Sequence, residues 1–323
     1  MTLTNTPLPT SPMDPGLAAF LAQAAAQGNP PLETLPPAVG RQIYRELAAA
    51  LSLPPPDVAR AENRIVEGPG GPLALRIYRP LVPAPASVLL PALLYLHGGG
   101  FVIGDLETHD AVCRTLCHEA GMLVVAVDYR LAPEHPFPAA VDDAAFALQW
   151  LAAQAVELGA DPARLALAGD SAGAQLAATA CMRAGASVAV RALGLIYPVA
   201  QHYTEPSPSM AENGEGKFLT HGVMKWFIDG YLGGRDELRR HPDFALLHAP
   251  GLATLPPTWI ATMGHDPLRD EGHALARRLD SAGVPVTHRH DPGGIHACIH
   301  FTAVSPIGHQ LVVALAHWLR ART

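Results

Sequence analysis

The chain has 323 residues, 49% of them apolar, which excludes a disordered protein and provides for a substantial core. Its net charge of −7 argues against nucleic acid and anionic lipid as partners, since both want a basic stripe, and four cysteines do not make a disulfide scaffold. No apolar run reaches the roughly 18 residues of a membrane span, and Met1–Pro15 carry neither the basic nor the apolar run of a signal peptide, so a cytoplasmic protein without membrane insertion is expected.

Two short helices are predicted first, Asp14 to Gln27 and Pro37 to Leu51, separated by Gly28-Asn29-Pro30-Pro31. Pro54-Pro55-Pro56 closes this segment, because consecutive prolines cannot continue a helix. Strand candidates follow near Arg64–Glu67 and Leu73–Tyr78, with Gly68-Pro69-Gly70-Gly71 as the turn. From Leu93 the texture changes. Apolar runs at Leu93–Leu96, Leu123–Val127, Leu165–Ala168, Leu193–Tyr197 and Trp259–Met263 alternate with helix-like stretches, and Val284–His288 and a helix over Pro306–Arg322 complete the set. Runs so uniformly apolar suit strands buried on both faces. The fold class expected is α/β, a mostly parallel eight-stranded sheet with helices on both faces.

One interval breaks the alternation. Between Pro198 and Pro257 lie about sixty residues with no obvious strand, and so long an insertion in a compact domain is usually a lid or binding element. The organisation expected is N-terminal cap helices over 1–56 and a catalytic domain over 57–323, interrupted by a cap or lid insertion at about 199–256.

Two motifs carry the chemistry. Gly169-Asp170-Ser171-Ala172-Gly173 joins the strand Leu165–Ala168 to an Ala-rich helix, Ala172 to Met182. On so sharp a strand-to-helix turn a serine is held in a strained conformation, and only small residues fit two positions to either side. The helix N-terminus aims free N–H groups and partial positive charge at the reacting oxygen. His97-Gly98-Gly99-Gly100 follows the strand Leu93–Leu96, and glycines there let backbone N–H groups approach a substrate closely. Gly98, Gly99 and Ala172 are assigned as oxyanion donors, and His97 as a brace of the loop. A phosphate loop is disfavoured, because neither G-x-G-x-x-G nor G-K-[ST] is present. Together the motifs describe an acyl-transfer site of the α/β-hydrolase type, with Ser171 as nucleophile.

A serine hydroxyl needs a base. Among 16 histidines, His296 lies just past the last strand, in a loop that could reach Ser171; His300 is the close competitor, and His288 and His290 fall in or at the end of a strand. The acid that orients the base is assigned to Asp266, shortly after the strand Trp259–Met263. Asp270 and Glu271 are its rivals, with the simpler explanation of complementing a helix dipole. Cys113, Cys117 and His118 stand at helical spacing without a fourth ligand, and His118 falls on another face, so buried structural cysteines are expected, with no metal and no cofactor.

The sequence resembles the hormone-sensitive-lipase-like family of α/β-hydrolases, which includes many microbial carboxylesterases. The matching stretches are Tyr95–Phe101, Asp128–Ala140, Gly169–Gly173 and Asp266–Gly272, and the likeness runs from about Leu73 to the C-terminus. It implies the triad Ser171, Asp266 and His296, a helical cap over the sheet, structural bracing by Asp128, Tyr129, Arg130 and Glu134, and a homodimer by analogy. One departure is visible: the family commonly has His-Gly-Phe at the catalytic histidine, where this chain has His296-Ala297-Cys298. The resulting expectation is a cofactor-free serine carboxylesterase for short- to medium-chain esters. The alternatives are a non-catalytic small-molecule receptor on the same fold, or an amidase or lactone hydrolase with the same triad.

Overall fold

The computed structural model describes residues 8, 9, 11–81 and 88–323; the stretch read for a leader, 1–15, lies partly outside these residues. Two N-terminal helices, α1 (Pro15–Ala26) and α2 (Pro37–Leu51), precede the sheet. Asp14 caps α1, its carboxylate accepting from the Gly16 and Leu17 amides, and each helix opens on a proline, which lacks the N–H that would be left over there.

The sheet begins with an antiparallel hairpin, β1 (Arg60–Gly68) and β2 (Gly71–Arg79). Then follow β3 (Leu90–Leu96), β4 (Leu123–Asp128), β5 (Ala160–Asp170), β6 (Val190–Ile196), β7 (Thr258–His265) and β8 (Val286–Ile295). Their spatial order is β1-β2-β4-β3-β5-β6-β7-β8. β2 runs antiparallel to β4, and every pairing from β4 across to β8 is parallel. Parallel neighbours need crossovers, which pass through α3 (Asp110–Ala120), α4 (Ala139–Gln154) and α5 (Ala172–Ala184). Between β6 and β7 lie α6 (Pro208–Asn213), α7 (His221–Leu232) and short 3₁₀ turns. α8 (Arg269–Ser281) links β7 to β8, and α9 (Pro306–Arg320) ends the chain.

Side chains along the central strands divide between the two faces with period two. Leu94, Leu96, Val125, Val127, Leu167 and Leu195 join one buried core with α4, α5, α7 and α8. Leu93, Tyr95, Val124, Ala126, Ala166 and Ala168 join a second with α1, α3 and α9. That is why these strands read as unbroken apolar runs.

The last strand differs from the expectation. It covers Val286–Ile295 rather than 284–288. β8 is an edge strand, half-buried over most of its length, so it tolerates the polar run His288-Arg289-His290-Asp291 and even Pro292, which no interior strand would. Its extension carries the chain to His296. Among the described residues no helix is long and apolar enough to cross a membrane.

Candidate active site

Ser171 occupies the junction of β5 and α5 with φ 54°, in the left-handed half of backbone space where a non-glycine residue is strained. The turn is closed by glycines on both sides: a Cβ at Gly169 would enter the Gly173 carbonyl, and one at Gly173 would enter the Leu96 and His97 carbonyl oxygens. Ser171 N donates to Ile196 O at 2.8 Å, and Ser171 O accepts from Gln175 N and Val199 N, so the strained residue is fixed to β6 and the loop beyond it.

Three side chains from three strand ends converge here. Ser171 Oγ lies 2.9 Å from His296 Nε2, and His296 Nδ1 lies 2.8 Å from Asp266 Oδ2. Asp266 follows β7 directly, is fully buried, and accepts the Leu268 amide on Oδ1 at 2.8 Å. His296 follows β8, with the Tyr197 ring 4.5 Å from its own. The next residue, Ala297, takes φ 61° and ψ 15°, the left-handed conformation that glycine adopts without strain.

The rival candidates are engaged elsewhere. His300 Nε2 meets Tyr44 OH at 2.9 Å, and burial, followed by the charge of His109, lowers its pKa to about 3. His288 and His290 both meet Thr262 Oγ1. Asp270 binds Arg269 and the Ser209 amide. Glu271 is buried under the loop after β6 and accepts the Ala200 amide at 2.7 Å.

One oxyanion assignment is corrected. The Gly98 N–H donates to Asp170 Oδ1 at 2.9 Å, and Gly98 does not line the cavity above Ser171. Gly99 and Gly100 do line it, with φ 116° and 60°, and their amides have no hydrogen-bond acceptor among the described residues. The backbone N–H groups left without an acceptor beside Ser171 are therefore those of Gly99 and Gly100, and Ala172 opens α5 directly after it. The Gly-rich motif could not distinguish its members, because what occupies Gly98 is a carboxylate 72 residues away in sequence. A signal did exist: Asp170 is a lone acid closing an apolar strand, and a buried acid needs partners.

His97 braces the loop. Its ring stacks on Tyr129 at 4.1 Å, its Nδ1 lies 2.8 Å from Gly98 O, and its backbone carbonyl accepts from Tyr129 OH. Burial, then the charge of His109, pushes its pKa down to about 4. Arg130 forms a bidentate pair with buried Asp143, and Glu134 pairs with Arg41 of α2, which also donates to the Val102 and Ala132 carbonyls. Cys113 and Cys117 are buried in α3, and His118 reaches the Asp57 carbonyl instead of joining them.

Above Ser171 and His296 is a cavity of about 430 Å³, walled mainly by apolar side chains. α2 contributes Tyr44 and Leu47, the segment between β6 and β7 contributes Leu219, Met224 and Phe227, and Val199 stands beside the serine. α1 and this insertion meet directly where Phe20 packs on Phe218.

The family model for the alpha/beta hydrolase fold matches residues 93–300. Esterase LipI of Mycobacterium tuberculosis is 42% identical over 250 residues, covering 76% of this chain and 77% of its own. The ethyl acetate hydrolase of Pseudomonas putida is 36% identical over 296 residues, covering 88% and 91%. Among solved structures, a hyperthermophilic esterase from Pyrobaculum calidifontis superposes with a TM-score of 0.90 at 36% identity, over 96% of this chain and 99% of that one.

Proposed function

The chain belongs to the α/β-hydrolases, in their hormone-sensitive-lipase-like family, and from that membership we propose a serine carboxylesterase acting on short- to medium-chain esters. The observation that carries this reading is the unbroken contact series Ser171 Oγ–His296 Nε2 and His296 Nδ1–Asp266 Oδ2 at the floor of an apolar cavity. His296 takes the Ser171 proton as Oγ attacks the ester carbonyl. Asp266 holds the imidazole tautomer and stabilises the imidazolium. Gly99, Gly100 and Ala172 N–H groups receive the oxyanion, each such donor being worth roughly 2.7–4 kcal/mol. His296 then protonates the departing alcohol and activates the water that releases the acid.

The cavity of about 430 Å³ lies toward the small end for ligand pockets, which supports a short or medium acyl group. A relative named for ethyl acetate points the same way. Residues 1–56 and about 199–256 act as one cap, supported by the cavity's walls and the Phe20–Phe218 contact. The assembly proposed is a cytoplasmic homodimer; β1 is an unpaired sheet edge among the described residues, whereas the β8 edge is partly covered by Pro9 and Asp14.

The test is hydrolysis of p-nitrophenyl esters from acetate to palmitate, with Ser171→Ala alongside. Fast turnover of the short chains, abolished in the variant, is expected. Activity surviving in Ser171→Ala removes the site; faster cleavage of triglyceride emulsions than of dissolved short esters removes the chain-length preference.

A further inference from the structure

Behind Ser171 lies a group of buried polar side chains that the acyl-transfer steps do not use. Asp170 stands at the cavity's edge, with its carboxylate turned toward the loop after β3. Its Oδ1 accepts from Gly98 N at 2.9 Å and from Tyr95 OH at 2.8 Å, and faces His109 Nε2 at 3.1 Å. Asp170 and His109 are each 1% exposed. A carboxylate so placed is costly unless it is paired.

The far side of the His109 ring is held as well. Thr108 Oγ1 lies 2.8 Å from the Asp105 carbonyl oxygen. The same hydroxyl accepts the Asp105 amide at 2.9 Å and lies 2.8 Å from His109 Nδ1. On the other side of the ring, Nε2 lies against Asp170 Oδ1 and within 3.3 Å of the Gly98 amide, so His109, Asp170 and the Gly98 N–H form one buried contact. Although burial works to raise the Asp170 pKa, the charge and hydrogen bond of His109 hold it well below the ordinary carboxylate range.

The pair sits where it controls the oxyanion loop. Asp170 anchors the Gly98 amide, and a Cβ at Gly98 would enter the Asp170 carboxylate. His109 is itself fixed by a turn in which Asp105 Oδ1 accepts the Glu107 and Thr108 amides. Gly98 is turned inward onto Asp170, and the next two residues, Gly99 and Gly100, line the cavity.

We propose that His109 is a positioning residue for ester hydrolysis: through Asp170 it clamps the Gly98 amide and so aims the Gly99 and Gly100 N–H groups at the oxyanion. This rests on the esterase reading above. A clamp of this kind acts when negative charge develops on the carbonyl oxygen, so its loss should appear in kcat and in binding of a tetrahedral mimic, and not in KM.

The experiment compares wild type, His109→Leu, His109→Gln and Ser171→Ala. It measures kcat and KM for p-nitrophenyl butyrate and Ki for an alkyl trifluoromethyl ketone, whose serine adduct places an oxyanion in the same position. His109→Leu should lower kcat and raise Ki by similar factors, on the order of 10–100, a displaced loop costing less than the 10²–10³ of a deleted donor. KM should stay within about twofold, and His109→Gln, whose amide can donate to Asp170, should recover part of both losses. Unchanged kcat and Ki in His109→Leu overturn the proposal, as does a fall in thermal stability with Ki unmoved. If His109→Leu does not fold, Tyr95→Phe removes another donor to Asp170, and a several-fold rise in Ki with KM unmoved is required of it. Turnover persisting in Ser171→Ala would sink the esterase site itself; a dead Ser171→Ala beside wild-type behaviour in the His109 and Tyr95 variants sinks only the clamp.

Discussion

Gly173, the second residue of α5, is packed against the carbonyl oxygen of Leu96, the last residue of β3, so closely that a Cβ at Gly173 would occupy the oxygen's place. The turn that carries Ser171 and the start of the loop after β3 are thus pressed together through a position where only hydrogen fits. Gly173→Ala must separate α5 from β3, and because the obstacle is backbone, no side-chain rotation relieves it. Overpacking costs typically about 1–3 kcal/mol. We expect a lower Tm together with a fall in kcat of at least tenfold, because the separation widens the gap between Ser171 and the oxyanion donors. Gly234→Ala is the control for a loss of stability without a packing clash: its strain comes from φ 70°, with nothing within reach of a Cβ. It should lose stability with kcat intact, and equal kcat losses in the two variants would refute the packing account.

The hydrogen-bond series Ser171–His296–Asp266 predicts that its members fail as a unit. Ser171→Ala and His296→Ala should each lower kcat by on the order of 10⁴–10⁶, and the double variant should be little worse than either. Additive losses would mean the two residues do not share one step. Asp266→Asn should cost far more than Asp270→Asn, since Asp270 is tied to Arg269 and Ser209 instead of the histidine. The reverse order would move the acid.

How much of this was legible in the sequence follows from which constraints are local. The elbow was readable because Gly169 and Gly173 answer to contacts with the next turn of chain and its adjoining strand. The central strands were readable because burial on both faces removes polar residues from them. β8 was read too short, since an edge strand keeps its polar residues and loses the apolar signature. Gly98 was misassigned because three consecutive glycines look alike until Asp170 is folded onto one of them. His300 stayed a rival to His296 in sequence because both follow the same strand; the extension of β8 to Ile295 places His296, and not His300, against Asp266.

Glu271 gives a pH-dependent prediction. Burial, opposed by the Ala200 amide and reinforced by the charge of Asp266, raises its pKa from 4.5 to about 8. Between those values the folded protein holds a proton that the unfolded chain releases. Stability contributed at this position therefore falls as pH rises through the window, by several kcal/mol in all, at about 1.4 kcal/mol per pH unit. Glu271→Gln keeps an oxygen for the Ala200 amide and has no proton to lose. Relative to wild type, its Tm should gain steadily from pH 5 to pH 8 and level off above. A Tm difference that stays flat across that range would show that Glu271 does not titrate as its surroundings dictate.

Ala297 is the residue at which this chain departs from the family's His-Gly-Phe, and its backbone accounts for the usual glycine. At φ 61° and ψ 15° it lies in the left-handed region, where a Cβ costs an L-residue about 1–2 kcal/mol. Replacing it with glycine removes that strain and adds about 0.5–1 kcal/mol of lost chain entropy. The net gain expected for Ala297→Gly is below about 1 kcal/mol, seen as a rise in Tm of roughly 1–3 °C. The contacts with Ser171 and Asp266 are made by His296, the residue before, so kcat for short esters should remain within about twofold. A drop in Tm would mean that the Ala297 Cβ, 5% exposed at the cavity wall, contributes more by packing than its backbone loses by strain. Ala297→Val separates the two possibilities: a β-branched residue fits this conformation worse than alanine, so the strain account requires it to be less stable than wild type even though it adds apolar contact.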